Sequence, residues 1–98
     1  LIRYTAKARS QIRSLTAHYE RIERDEAVSN LSAALSNAEE RIARAPHGGL
    51  PAPRPYPKLR SADRLWIKEG RYWIAYRVSP EPMIVGVFYE SANIPGRI

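Results

Sequence analysis

Apolar positions in the first 45 residues recur at spacings of three and four. Ala8, Ile12, Leu15, Tyr19 and Ile22 make one stripe, and Val28, Leu31, Leu35, Ala38 and Ile42 make a second. Such spacing gathers side chains on one helix face, so residues 5–45 read as two amphipathic helices. Thr5 stands where an N-cap is expected, and Asp25 where a second would stand. The link through Glu23, Arg24 and Asp25 is so short that the helices must be antiparallel neighbours. Arg41 and Arg44 suit the negative end of the second helix, and Pro46 ends it.

Residues 46–58 hold five of the eight prolines, at positions 46, 51, 53, 55 and 57, with Gly48 and Gly49 between them. Proline lacks an amide donor and resists both helix and central strand, so this stretch is an extended crossover loop. A polyproline ligand for an SH3-like domain is the other reading of Pro51, Pro53, Pro55 and Pro57. Beyond the loop, residues 64–89 change period to two. Leu65 and Ile67 alternate with Arg64, Trp66 and Lys68. After a turn at Glu69 and Gly70, Tyr72, Ile74, Tyr76 and Val78 alternate with Trp73, Ala75 and Arg77. Ser79 to Pro82 form a second turn. The run from Met83 to Tyr89 is apolar almost throughout, as a central strand covered on both faces would be. Its Gly86 marks close packing or a bulge. Ile2 and Tyr4 alternate ahead of the first helix and add a short strand. The expected order is β-α-α-β-β-β, an α+β fold with a helical hairpin packed on a three- to four-stranded antiparallel sheet. The tail Asn93–Ile98 has no period, and it either carries contacts or frays.

Composition narrows the class. With 98 residues, 44% apolar and 27% charged, the chain reads as one globular domain over residues 1–98 with a single core. It has no cysteine, so it builds no disulfide framework or thiolate metal site, and a reducing cytoplasmic setting fits. No apolar run approaches the roughly 20 residues of a membrane span, and no charged-then-apolar leader precedes the first helix. The chain starts at Leu1 rather than Met, which leaves room for sequence upstream. Net charge is +6, from 16 basic and 10 acidic residues. That excess suits an acidic partner, nucleic acid or protein, or serves solubility alone.

Catalytic signatures are missing: no phosphate-binding glycine loop, no nucleophile elbow, no His-Glu-x-x-His. His18 and His47 have no ligand partners at useful spacing and read as solvated or capping residues. Glu20, Glu23, Glu39 and Glu40 lie on helices among arginines, the pattern of solvated faces rather than of an acid–base pair. Neither a cofactor nor a metal is expected. If Leu65, Ile67, Tyr72, Ile74, Tyr76 and Val78 face the helices, the other sheet face carries Arg64, Trp66, Lys68, Trp73 and Arg77. Cations interleaved with large aromatics suit stacking on bases or gripping a partner. Alternatively, the two tryptophans close a second small core beneath the loop or tail.

The hairpin followed by Gly70-Arg71-Tyr72-Trp73-Ile74-Ala75-Tyr76-Arg77-Val78, and then by Ile84-Val85-Gly86-Val87-Phe88-Tyr89, resembles the RelE/ParE superfamily of bacterial toxins. Its members read Gly-x-Tyr-Arg-x-x-Tyr-x-Val on the middle strand and close with an apolar strand and a polar tail. The resemblance implies the toxin of a type II toxin–antitoxin pair, held inactive in a hetero-oligomer by a cognate antitoxin that lays an acidic segment around helices and sheet. Members either cleave messenger RNA on the ribosome, as RelE types do, or inhibit DNA gyrase, as ParE types do. The cleaving members place lysine and arginine on the open sheet face, where they stabilise a pentavalent phosphate. In an ungapped placement, the RelE-type first-strand lysines fall on Trp66 and Lys68, the middle-strand arginine on Trp73, and the later arginine on Asn93. Only Lys68 matches, which favours the ParE type and a gyrase target without catalysis. Arg60, Arg71, Arg77 and Tyr89 are the residues from which a cleaving site could be rebuilt. The expected target or antitoxin contacts are Trp66, Lys68, Arg71, Trp73, Arg77, Tyr89 and Arg97. A stand-alone nucleic-acid-binding module using the same basic face is the competing reading.

Overall fold

The computed structural model of the chain describes residues 2–97, the side chain of Arg97 excepted. Its order is β1 (Arg3–Tyr4), α1 (Ala6–Arg21), α2 (Asp25–Arg44), β2 (Leu65–Glu69), β3 (Tyr72–Arg77) and β4 (Met83–Tyr89), with short 3-10 turns at Pro57–Leu59 and Ile94–Arg97. Thr5 caps α1 as expected, its hydroxyl accepting the amide of Ala8 at 3.1 Å. Asp25 does not cap α2. Glu23 takes a left-handed backbone (φ 56), which turns the chain within three residues and leaves Arg24 at the cap position, where its side chain makes no capping bond and pairs with Glu26 at 2.6 Å instead. Asp25 and Glu26 then occupy the first turn, where the helix dipole favours negative charge.

The sheet has the order β1-β4-β3-β2. Its hairpins β2–β3 and β3–β4 are antiparallel, but β1 runs parallel to β4, through Arg3↔Met83 and Tyr4↔Ile84. The expected antiparallel sheet is therefore corrected to a mixed one. Two hairpin reversals return β4 to the direction of β2. The proline loop carries the chain back from α2, so that β2 and β1 start from the same end. A parallel pair needs a long crossover, and here the helical hairpin and all that follows it supply one. Because β1 is only two residues long, β4 is not paired by it further along; the amide of Val87 is instead accepted by Gln11 Oε1 on α1 at 2.8 Å.

The apolar residues divide between the two sheet faces. Ala8 from α1 and Leu31, Ala34, Ala38 and Ile42 from α2 pack onto Ile67, Tyr72, Ile74, Tyr76, Ile84 and Val87. Of these sheet residues, Ile67, Tyr72, Ile74 and Tyr76 are inward positions that the alternation predicted, and Leu65 and Val78 pack against the same cluster. The other face carries a second cluster of Trp66, Trp73, Ala75, Phe88 and Ile94, with Leu50, Tyr56 and Leu59 of the crossover loop packed against it. The single core expected from chain length is thus two layers about one sheet. The tail does not fray at Ile94, which is fully buried in the second layer. Gly86 answers to both expectations for it. The β3–β4 register shifts from Ala75↔Gly86 to Tyr76↔Ile84, leaving Val85 as a bulge. A Cβ on Gly86 would also stand 2.7 Å from the Phe88 ring.

Tyr76 ties the layers to the crossover. Its hydroxyl donates to Pro46 O at 2.7 Å and accepts from Gly49 N at 3.0 Å. Glycine is required at 49 because an added Cβ would come within 2.6 Å of that hydroxyl.

Candidate functional site

At one end of the sheet, β2 passes to β3 through Gly70 and Arg71. Gly70 takes a left-handed backbone (φ 57), the conformation that tight hairpin turns demand and glycine allows. The turn sets Lys68 and Arg71 side by side, and the end of β4 brings Tyr89 and Glu90 against them. Glu90 bridges the two cations, with Lys68 Nζ at 3.1 Å and Arg71 at 3.0 Å. Lys68 Nζ also lies 5.5 Å from the Trp73 ring centroid, and the Arg54 guanidinium covers the same ring at 5.2 Å. Arg41 of α2 extends the charged rim, pairing with Glu69 at 2.9 Å.

Behind this rim, Tyr19 and Tyr72 share a hydrogen bond at 2.6 Å, and Tyr72 meets Tyr89 edge to face at 5.7 Å. A groove of about 1120 Å³ opens there between helices and sheet, walled by Leu15, Tyr19, Ala34, Arg71, Tyr72 and Tyr89. Ile22, the one exposed large hydrophobic residue among those described, also borders it.

Three of the seven expected contact residues, Lys68, Arg71 and Tyr89, therefore converge. Arg77 lies at the opposite end of the sheet, one guanidinium nitrogen 3.2 Å from Met83 Sδ. Trp66 and Trp73 are buried at 0% and 3% exposure, so they form the second layer rather than an open aromatic face. The side chain of Arg97 lies outside the described residues. Sequence reasoning missed Glu90, Tyr19 and Tyr72 as members of this site. The alternation marked Tyr72 and the helical stripe marked Tyr19 only as core, and nothing in the sequence signals that Glu90 joins two cations.

The electrostatics favour binding over proton transfer. The hydrogen bond from Lys68, aided by the charges of Lys68 and Arg71, holds the Glu90 carboxyl below its ordinary range. Burial, then the bond to Tyr19, pushes the Tyr72 phenol up. Tyr89, then Glu90, keeps Arg71 still more firmly protonated. Each of these shifts leads away from neutrality, whereas a general acid or base works best with its pKa near the operating pH. The Glu90 clamp has a testable sign. Its folded carboxyl pKa is depressed, so its stabilisation is complete above the unfolded value of about 4.3 and is lost as pH falls through the lower folded value. Between pH 5 and pH 3, Glu90→Gln should lose less stability than the parent in urea unfolding; equal losses would show that the clamp contributes nothing.

No helix among the described residues is long and apolar enough to cross a membrane. Comparison with protein-family models gives no match, and no curated protein is significantly similar to the chain.

Proposed function

We propose that this chain is a type II toxin of the RelE/ParE kind, acting by binding, with DNA gyrase as its target and a cognate antitoxin as its neutralising partner. The strand-and-helix order with the hairpin laid on the sheet accords with the resemblance carried by Gly70 to Val78 and Ile84 to Tyr89. The observation that carries the binding mode is the closed second face. Where a cleaving enzyme needs an open cationic surface, Trp66, Trp73 and Phe88 are covered by the crossover loop and Ile94. The convergence of Lys68, Arg71 and Tyr89 favours the second reading, RNA cleavage on the ribosome. Glu90 opposes it by engaging both cations, which weakens the field they could apply to a transferring phosphate.

Expression alone should arrest bacterial growth, and co-expression of the neighbouring antitoxin frame should restore it. Purified chain should inhibit supercoiling by gyrase and leave messenger RNA on translating ribosomes intact. Codon-dependent RNA cleavage with gyrase untouched would overturn the target. Harmless expression of the folded chain would overturn the toxin reading itself.

A further inference from the structure

We infer that the outer surface of the crossover loop is a nucleic-acid interface that grips the phosphodiester backbone. Residues 54–64 lie across the second layer, with Tyr56 and Leu59 packed inward against it. Arg54, Lys58 and Arg60 are exposed on the outside, and Arg64 is half-buried. Against these four cations the stretch holds one carboxylate, Asp63, whose Oδ1 accepts from Ser61 Oγ at 2.7 Å. The sheet face marked by its alternation as basic and aromatic is covered, and its cover is basic in turn.

Three observations point this surface at an anion. First, none of the four cations has a carboxylate within ion-pair distance among the described residues; the acids that pair engage Arg3, Arg24, Arg41, Arg44, Lys68 and Arg71 instead. Second, two of the four are positioned by aromatic rings rather than by anions. The Arg54 guanidinium lies 5.2 Å from the Trp73 ring centroid, and that of Arg64 lies 6.0 Å from the centroid of Trp66. A guanidinium laid against a ring keeps its planar fork of N–H donors for an acceptor. Third, the surface runs into the charged rim without a change of sign. Lys68 Nζ shares the Trp73 ring with Arg54, at 5.5 Å, and one carboxylate, Glu90, serves both Lys68 and Arg71. Cations gathered so closely repel one another, and a bound anion relieves that repulsion.

Nucleic acid fits this surface better than an acidic protein does. Protein interfaces centre on apolar and aromatic anchors, and the crossover exposes no large hydrophobic residue. Leu50, Tyr56 and Leu59 pack inward, and Ile22, the one exposed large hydrophobic residue among those described, borders the groove on the helix side of the sheet. A polar surface of one sign, rich in arginine, is what nucleic-acid backbones meet. Helix α1 carries comparable charge but divides it, because helical spacing sets Arg9 and Arg13 on one side and Lys7 and Arg21 on the other. The phosphates belong to a single strand or to a duplex. The interface adjoins the proposed site but does not rest on the toxin reading. A chain that binds nucleic acid and is harmless when expressed keeps the one and loses the other.

The full chain is titrated into fluorescein-labelled oligonucleotides, one single-stranded and one duplex, and affinity is read by anisotropy at several salt concentrations. Four phosphate contacts predict that the logarithm of the association constant falls against that of salt with a slope of about −2.8 on a single strand or about −3.6 on a duplex. The form bound more tightly is the source of the phosphates, and equal affinity assigns the contact to the backbone that both share. Arg54→Gln and Arg60→Gln should each make the slope shallower by about 0.7–0.9; circular dichroism checks the fold of Arg54→Gln, and Arg60 is exposed and outside both core clusters. Arg13→Gln removes the same charge from the exposed side of α1 and should leave the slope unchanged. No saturable binding, or an equal change of slope in Arg13→Gln, overturns the interface. Displacement by polyglutamate as readily as by unlabelled oligonucleotide also overturns it, and gives the surface to an acidic protein.

Discussion

Trp66→Ala is expected to lower unfolding free energy by roughly 3–5 kcal/mol, the range for removing a buried aromatic side chain. For a domain of this size that corresponds to a fall in Tm of at least about 12 °C, and a domain of ordinary stability would approach unfolding at 37 °C. The reason lies in what Trp66 touches. It is fully buried, its ring meets Phe88 at 5.9 Å, and its backbone pairs with both Ala75 and Leu50. Removing the indole opens the second layer where loop, sheet and tail come together. Urea unfolding followed by circular dichroism measures the effect, and a loss below about 1 kcal/mol would mean that the layer is not packed as described. Trp66→Phe should cost much less, because a flat ring still fills most of the space. Any loss of biological activity in Trp66→Ala therefore has to be read against its stability before a contact role is assigned.

Tyr76→Phe is the second large effect, and it arises from two hydrogen bonds rather than from volume. The phenol joins Pro46 O and Gly49 N, groups on the crossover that have left α2 and not yet joined the sheet. Phenylalanine keeps the packing and strands both groups, at a cost of roughly 2–3 kcal/mol. The same substitution should speed amide exchange at Gly49 well beyond the change at Ile74 in the middle of the strand. Uniform acceleration at both sites would instead point to global destabilisation and remove the special role of the hydroxyl.

The sequence carried the periodic part of this architecture, because burial on one face leaves a repeating mark. Both helical stripes, apart from Ile22 and Val28 at their ends, and the alternation from Leu65 to Val78 fall on the layer between helices and sheet. What it did not carry are contacts set by distance in three dimensions. Whether Trp66 and Trp73 would be open or covered depended on where Leu50, Tyr56, Leu59 and Ile94 landed, and none of these has a period to read. The parallel pairing of β1 rests on two residues, too few for a pattern. Lys68, Arg71 and Tyr89 were singled out individually by type, but their meeting depends on the Gly70 turn and on Glu90, whose carboxylate organises them.

The placement of β4 has a consequence for how the protein is made. It is last of the four strands in chain order yet lies between β1 and β3, and it contributes Ile84 and Val87 to one layer and Phe88 to the other. A nascent chain that has not yet exposed residues 83–94 lacks Ile84 and Val87 from the layer under the helices and Phe88 and Ile94 from the other layer, and β1 has no strand to pair with. Contacts that span so much of the chain close late. Ribosome-arrested chains should stay protease-sensitive until Ile94 has cleared the exit tunnel and then become resistant in one step. Gradual protection from earlier arrest points would show that the helices find a stable partner before β4 arrives. On this account synthesis itself withholds the finished surface until β4 and Ile94 have been translated.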